Sequence, residues 1–212
     1  MSGTLKISYW PIGGRAAAAR LALTLKDIPH EFEPVPFDKW QDWKQDTARF
    51  PTQDIPVFSV GGRVITQSAA LTQYAGLVSG LWPSDPVEAA TIVEILGTQE
   101  EIFSSFFGTC LLKTLPMFNP GVPEEELAAR KLKFKDHLRF YASRINDIVL
   151  SNTKSKAYAV GDKLTVADFI VWQLARTEGL EIDKLQGFAR VSATVNAINK
   201  PGFNELRAQF AS

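Results

Sequence analysis

Strand signals in this chain stop early. The segment 4–9 (TLKISY) alternates polar and apolar residues, and His30 to Val35 reads as a second strand. Pro56 to Val60 and Arg63 to Ile65 are two short runs joined by Gly61-Gly62, a hairpin signal. Between these strands, Arg15 to Lys26 (RAAAARLALTLK) is dense in strong helix formers. Asp38 to Phe50 reads as a short irregular helix around Trp40 and Trp43, and Gln67 to Leu77 as a third helix. The order is β-α-β-α-β-β-α. Ser79 to Pro86 (SGLWPSDP) is rich in turn residues and reads as a linker. No later run alternates with a period of two. Strands confined to one end predict a small α/β domain, residues 1–79, followed by an all-helical domain, residues 86–212.

In the second half the spacing predicts long helices over Val87 to Leu115 and Pro123 to Leu150. Glu124, Glu125 and Glu126 in the first turn of the latter complement the positive end of its dipole. Thr165 to Arg176 is a third helix, and shorter ones fit Asp183 to Gln186, Phe188 to Asn199 and Gly202 to Gln209. Thr165-Val166-Ala167-Asp168 has the pattern of a capping box, with Asp168 in the role usually held by Glu or Gln. Pro56, which has no N–H to give a ladder, belongs at a strand start.

Charge excludes several classes of function. Lys plus Arg and Asp plus Glu number 23 each, so no global field favours nucleic acid or an anionic membrane. No stretch is long and apolar enough to span a bilayer, and the first residues (MSGTLKISYW) lack the apolar run of a signal peptide. The single cysteine, Cys110, allows no internal disulfide and sits in an apolar run (FFGTCLL), where it reads as a buried small hydrophobe. A chain of the reducing cytosol is expected.

One set of motifs is more specific. Tyr9 is followed by Gly14-Arg15; then come Asp54-Ile55-Pro56-Val57, Gln67-Ser68, and Gly161-Asp162-Lys163-Leu164-Thr165-Val166-Ala167-Asp168-Phe169. In this order and spacing the first half resembles a thioredoxin-like domain and the second the helical-bundle domain of cytosolic glutathione transferases. Among these the Tyr-type details are most similar to the sigma class, which includes glutathione-dependent prostaglandin D synthases and the lens S-crystallins.

The resemblance implies a site. Tyr9 would donate a hydrogen bond to the glutathione sulfur, and Arg15 would place its charge beside it, both favouring the thiolate, which is the nucleophile. Gln67 and Ser68 would bind the γ-glutamyl carboxylate; a helix N-terminus suits an anion. Ile55, ahead of Pro56, would pair its backbone with the cysteinyl part in the manner of an added strand. The family usually has Gln at the position of Asp54, whose side chain is left out of the expected site. Trp40, with Trp43 as a competitor, and Lys44 fall near the glycyl end. Glu101, with Glu100 as the adjacent alternative, would reach the γ-glutamyl amine of a neighbouring subunit, so a homodimer is expected. The electrophile pocket would draw on Trp10, Gly14, Phe103, Phe106, Phe107, Ile170 and Leu174, and on the C-terminal helix through Phe203, Leu206 and Phe210.

Relatives with prostaglandin synthase activity carry a tryptophan where Gly108 falls. Relatives with an interface cation carry a cluster of Asp where this chain has Gly97, Glu100 and Glu101, so no metal is expected. The implied activity is attack of glutathione on small apolar electrophiles. A glutathione-dependent isomerase and a non-enzymatic crystallin-like or ligand-carrier protein are the alternatives. A thiol-disulfide oxidoreductase is disfavoured, because no cysteine lies near the first helix.

Overall fold

In a computed structural model residues 4–105, 121–177, 180–181 and 184–211 are described. The first half holds β1 (Leu5–Tyr9), a 3-10 turn (Gly14–Ala16), α1 (Ala17–Leu25), β2 (His30–Pro34), α2 (Trp40–Trp43), β3 (Val57–Val60), β4 (Arg63–Thr66) and α3 (Ser68–Ser79). The second is helical throughout: α4 (Pro86–Ser105), α5 (Glu124–Ser151), α6 (Val166–Leu174), α7 (Gln186–Ala197) and α8 (Pro201–Ala211). This is a thioredoxin-like domain with a mixed sheet, joined to an all-helical domain.

The sheet runs β2-β1-β3-β4. β1 lies parallel to β2, with Tyr9 opposite Pro34, and antiparallel to β3, with Ile7 opposite Phe58. β3 and β4 form the expected hairpin, and Gly61 and Gly62 both have positive φ at its turn. Alternation in β1 is strict: Leu5, Ile7 and Tyr9 are buried while Lys6 and Ser8 are not. The Ile55-Pro56 bond is cis.

Two of the boundaries differ from expectation for local reasons. The helix expected over Asp38 to Phe50 is a single turn, Trp40–Trp43. The Asp46 carboxylate accepts the N–H groups of Ala48 and Arg49 at 3.2 Å each, so a side chain takes donors that a helix would need. The helix expected from Arg15 begins as a tighter 3-10 turn, because Gly14 enters it at φ +48°. The helix expected over Val87 to Leu115 is described to Ser105; the remainder, with Phe106, Phe107, Gly108 and Cys110, lies outside the described residues. So does the start of the short helix expected at Asp183.

The Thr165–Asp168 capping box forms. Asp168 accepts the Thr165 N–H at 2.7 Å, and its other oxygen accepts the Ala159 N–H at 2.7 Å.

Candidate functional site

The end of β1 delivers Tyr9 into the protein. Its side chain is buried, and its hydroxyl oxygen accepts the Arg15 N–H at 3.1 Å. The loop between them must pass close to the ring. Gly14 makes this possible: its φ is +48°, and a Cβ placed on it would lie 2.6 Å from the Tyr9 oxygen. Burial pushes the Tyr9 phenol up to about 12, against the smaller opposing effect of the Arg15 N–H. At neutral pH the group is therefore a neutral hydroxyl. Its oxygen already accepts one bond, and its proton is available to donate another.

Arg15 connects this phenol to a polar pocket lined by Arg15, Ile55, Pro56, Gln67, Ser68 and Glu100, together with Thr52, Asp54 and Ser104. Glu100 is its central ion. One oxygen accepts Arg15 Nε at 2.8 Å and the other accepts the Ser68 hydroxyl at 2.6 Å. The Arg15 guanidinium also lies 5.1 Å from the centre of the Phe103 ring.

Ser68 opens α3 behind Gln67, whose φ of 81° and ψ of 127° are rare for a residue with a side chain. Such backbone persists where its surroundings impose it, and it is concentrated at ligand sites. The first amides of α3 have no intrahelical acceptor, so they present a partial positive charge beside the pocket.

Of the expected binding residues, Arg15, Ile55, Pro56, Gln67 and Ser68 line this one pocket, with Tyr9 hydrogen-bonded to its edge. Trp40 and Lys44 do not line it. Trp40 packs edge-on against Trp10 at 5.5 Å and against Phe50 at 5.2 Å. Lys44 follows the single turn of α2, and Trp43 lies under Arg49. Glu101 is exposed, whereas Glu100 faces the pocket.

Trp10 stacks on the exposed Phe37 at 4.6 Å. Ile170 and Leu174 have essentially no exposed surface and belong to the helical core, as does Phe203. Helix spacing that suggested a pocket wall there serves packing instead.

Thr52 and Ser104 were not foreseen, and Asp54, left out of the expected site, lines the pocket as well. Ser104 had a readable signal, since Glu100, Phe103 and Ser104 fall on one face at spacings of three and four. Among the described residues no group of three or more His, Cys, Asp or Glu is arranged to hold a metal ion, and no helix is long and apolar enough to cross a membrane.

Residues 5–76 match the family model "Glutathione S-transferase, N-terminal domain", and residues 114–202 match "Glutathione S-transferase, C-terminal domain". The chain is 27% identical over 197 residues to Glutathione S-transferase 1 of Ascaris suum, covering 92% of this chain and 90% of that protein. It is 26% identical over 172 residues to the hematopoietic prostaglandin D synthase of Gallus gallus, covering 81% and 77%. The crystal structure of the glutathione S-transferase from Ascaris lumbricoides superposes with a TM-score of 0.74 at 22% identity, covering 99% of this chain and 98% of that one. Both halves of the fold thus match the two domains of one family in their proper order, and the chain belongs to the glutathione S-transferase family.

Proposed function

We propose that this glutathione transferase uses Tyr9 to hold the glutathione sulfur as a thiolate for attack on small apolar electrophiles. In this reading residues 1–79 bind the tripeptide and residues 86–212 supply the electrophile pocket. The observation that carries it is the buried, neutral Tyr9 phenol, bonded through its oxygen to Arg15 at the rim of a pocket lined by Ile55, Gln67 and Ser68. A free thiol titrates near 8.5 or so, and each unit of lowering requires about 1.4 kcal/mol of preference for the thiolate. One hydrogen bond to a charged acceptor contributes about 1.5–3 kcal/mol, enough for one to two units. The phenol lends a proton without giving it up. The thiol proton leaves to solvent, the sulfur forms its bond to the electrophilic carbon, and the displaced group departs with its electron pair. Arg15 adds positive charge near the sulfur, while Ser68 and the first amides of α3 take the γ-glutamyl carboxylate.

The test is conjugation of glutathione to a generic aryl halide across pH, for wild type and Tyr9→Phe. The apparent pKa of the bound thiol is expected to rise by about one unit or more, with turnover at neutral pH falling about tenfold or more. An unchanged pH profile overturns the role given to Tyr9. The exposed Glu101 fits a reach into a neighbouring subunit; a monomer by light scattering with full activity would remove it from the site.

The likeness to a prostaglandin D synthase favours one second reading, isomerisation in the same site. It requires turnover of an endoperoxide with no net loss of glutathione.

A further inference from the structure

A tripeptide lying along the segment before β3 needs donors for its peptide carbonyls as well as for its carboxylates. Pro56 has none, and β3 begins at Val57, where the strand is paired on both sides. The Ile55 N–H is therefore the backbone donor that this part of the pocket offers. It is already engaged: the Asp54 carboxylate accepts it at 2.8 Å. The preceding turn sets up the contact. Gln53 donates its N–H to the Phe50 carbonyl at 2.8 Å and takes φ 52°, and both Asp54 and Ile55 then face the pocket. Asp54 also changes the local charge. Among the described lining residues Arg15 stands against two acids, Asp54 and Glu100, and Arg15 is bonded to Glu100.

We propose that Asp54 is a specificity-determining residue, an internal carboxylate that competes with glutathione for the Ile55 N–H and raises the glutathione concentration the enzyme requires. The proposal rests on the reading of this pocket as the glutathione site. The competition is one for one, because an N–H has a single proton. Either Asp54 swings away when the tripeptide enters, or the tripeptide binds with that donor unused. In both cases the glutathione carboxylates also share the pocket with the Asp54 charge. Removing the Asp54 carboxylate strengthens binding on both counts.

Three replacements separate the effects. Asp54→Ala removes charge and acceptor, Asp54→Asn removes the charge and keeps an acceptor oxygen, and Asp54→Glu keeps the charge. Titration calorimetry with reduced glutathione, joined to steady-state kinetics with an aryl halide, reads them out. Asp54→Ala is expected to bind glutathione about three- to tenfold more tightly, the worth of one net hydrogen bond. Asp54→Asn is expected between Ala and wild type, with Asp54→Glu near wild type. The gain is expected in KM for glutathione far more than in kcat. Should Ala lose the turn and unfold, Asn carries the test, since it must still bind more tightly than wild type. A wild type that binds glutathione while neither folded variant binds it more tightly overturns this proposal alone. A wild type that binds no glutathione overturns the reading of the pocket, and the proposal with it.

Discussion

Gly14 shows how closely the site is drawn around one side chain. Its positive φ and the 2.6 Å from its would-be Cβ to the Tyr9 oxygen leave no room for alanine. Gly14→Ala is expected to push the phenol off its position and to lower kcat/KM for glutathione about tenfold or more, while stability falls by only about 1–2 kcal/mol. Parallel kinetics and urea unfolding check this; a loss of activity matched by wholesale unfolding would contradict it. The sequence places Gly14-Arg15 shortly after Tyr9 but does not show the close passage of Gly14 over the ring, because the contact depends on where the chain returns in space. Glu100 and Glu101 teach the same lesson. Neighbours on a helix point about 100° apart, and only the docking of α4 decides which acid faces Arg15. Tyr9, Arg15, Gln67 and Ser68 were named from the resemblance, and each lies at or beside an element boundary: Tyr9 ends β1, Arg15 lies in the 3-10 turn before α1, and Gln67 and Ser68 open α3.

α6 illustrates what an element needs besides a pattern. It has nine residues, and all but Gln173 are buried. A helix this short is not stable alone, so packing and its cap hold it. Asp168 is fully buried and accepts bonds from the Ala159 N–H, the Thr165 N–H and the Thr165 hydroxyl. Its burial outweighs these bonds and raises its pKa from 3.8 to about 6. The folded state thus holds this proton more tightly than the unfolded chain does. The group's contribution to stability is fully present below about pH 4 and is lost as pH rises through about 6, a change on the order of 3 kcal/mol in all. Asp168→Asn lacks this titration. Urea unfolding at about pH 5 and about pH 7.5 is expected to show the wild type's advantage over Asp168→Asn shrinking at the higher pH. An advantage that grows with pH contradicts the assignment. The Thr-x-x-Asp spacing made the cap readable in advance. The bond to Ala159, nine residues away, was not readable, because nothing local announces it. The shortening of α2 by the Asp46 side chain lay between these cases, since Asp is known to compete for backbone donors.

At the scale of the molecule, α1 belongs to two cores. Ala16, just ahead of it, with Ala19 and Leu23, packs with Ile7, Tyr9 and Phe58 in the sheet domain. Ala18, Leu21 and Ala22 pack with Ile170, Phe169 and the other helical-domain residues. A run of alanines shows that a helix forms but carries too little contrast to show that both of its faces are covered, so the boundary read at residues 79–86 is expected to mark a change of architecture rather than of cooperativity. α8 reinforces the joint. Lys200 donates to the Leu25 carbonyl at 2.6 Å and pairs with Asp27. The Arg20 guanidinium lies 3.5 Å from the centre of the Phe32 ring and 4.8 Å from that of Phe210, one aromatic from each half. A fragment ending at residue 79 would expose Ala18, Leu21 and Ala22 and leave Arg20 without one of its rings. Exposing Leu21 alone forfeits roughly 1.5–3 kcal/mol, a large share of what so small a domain has to spare. The fragment 1–79 is therefore expected to lack the dispersed amide spectrum of a folded domain, and the whole chain to unfold in one transition seen alike by far-UV dichroism and tryptophan fluorescence. A fragment that folds and binds glutathione by itself would show that α1 completes the sheet domain without its second partner, and that the covering helices serve the pocket alone.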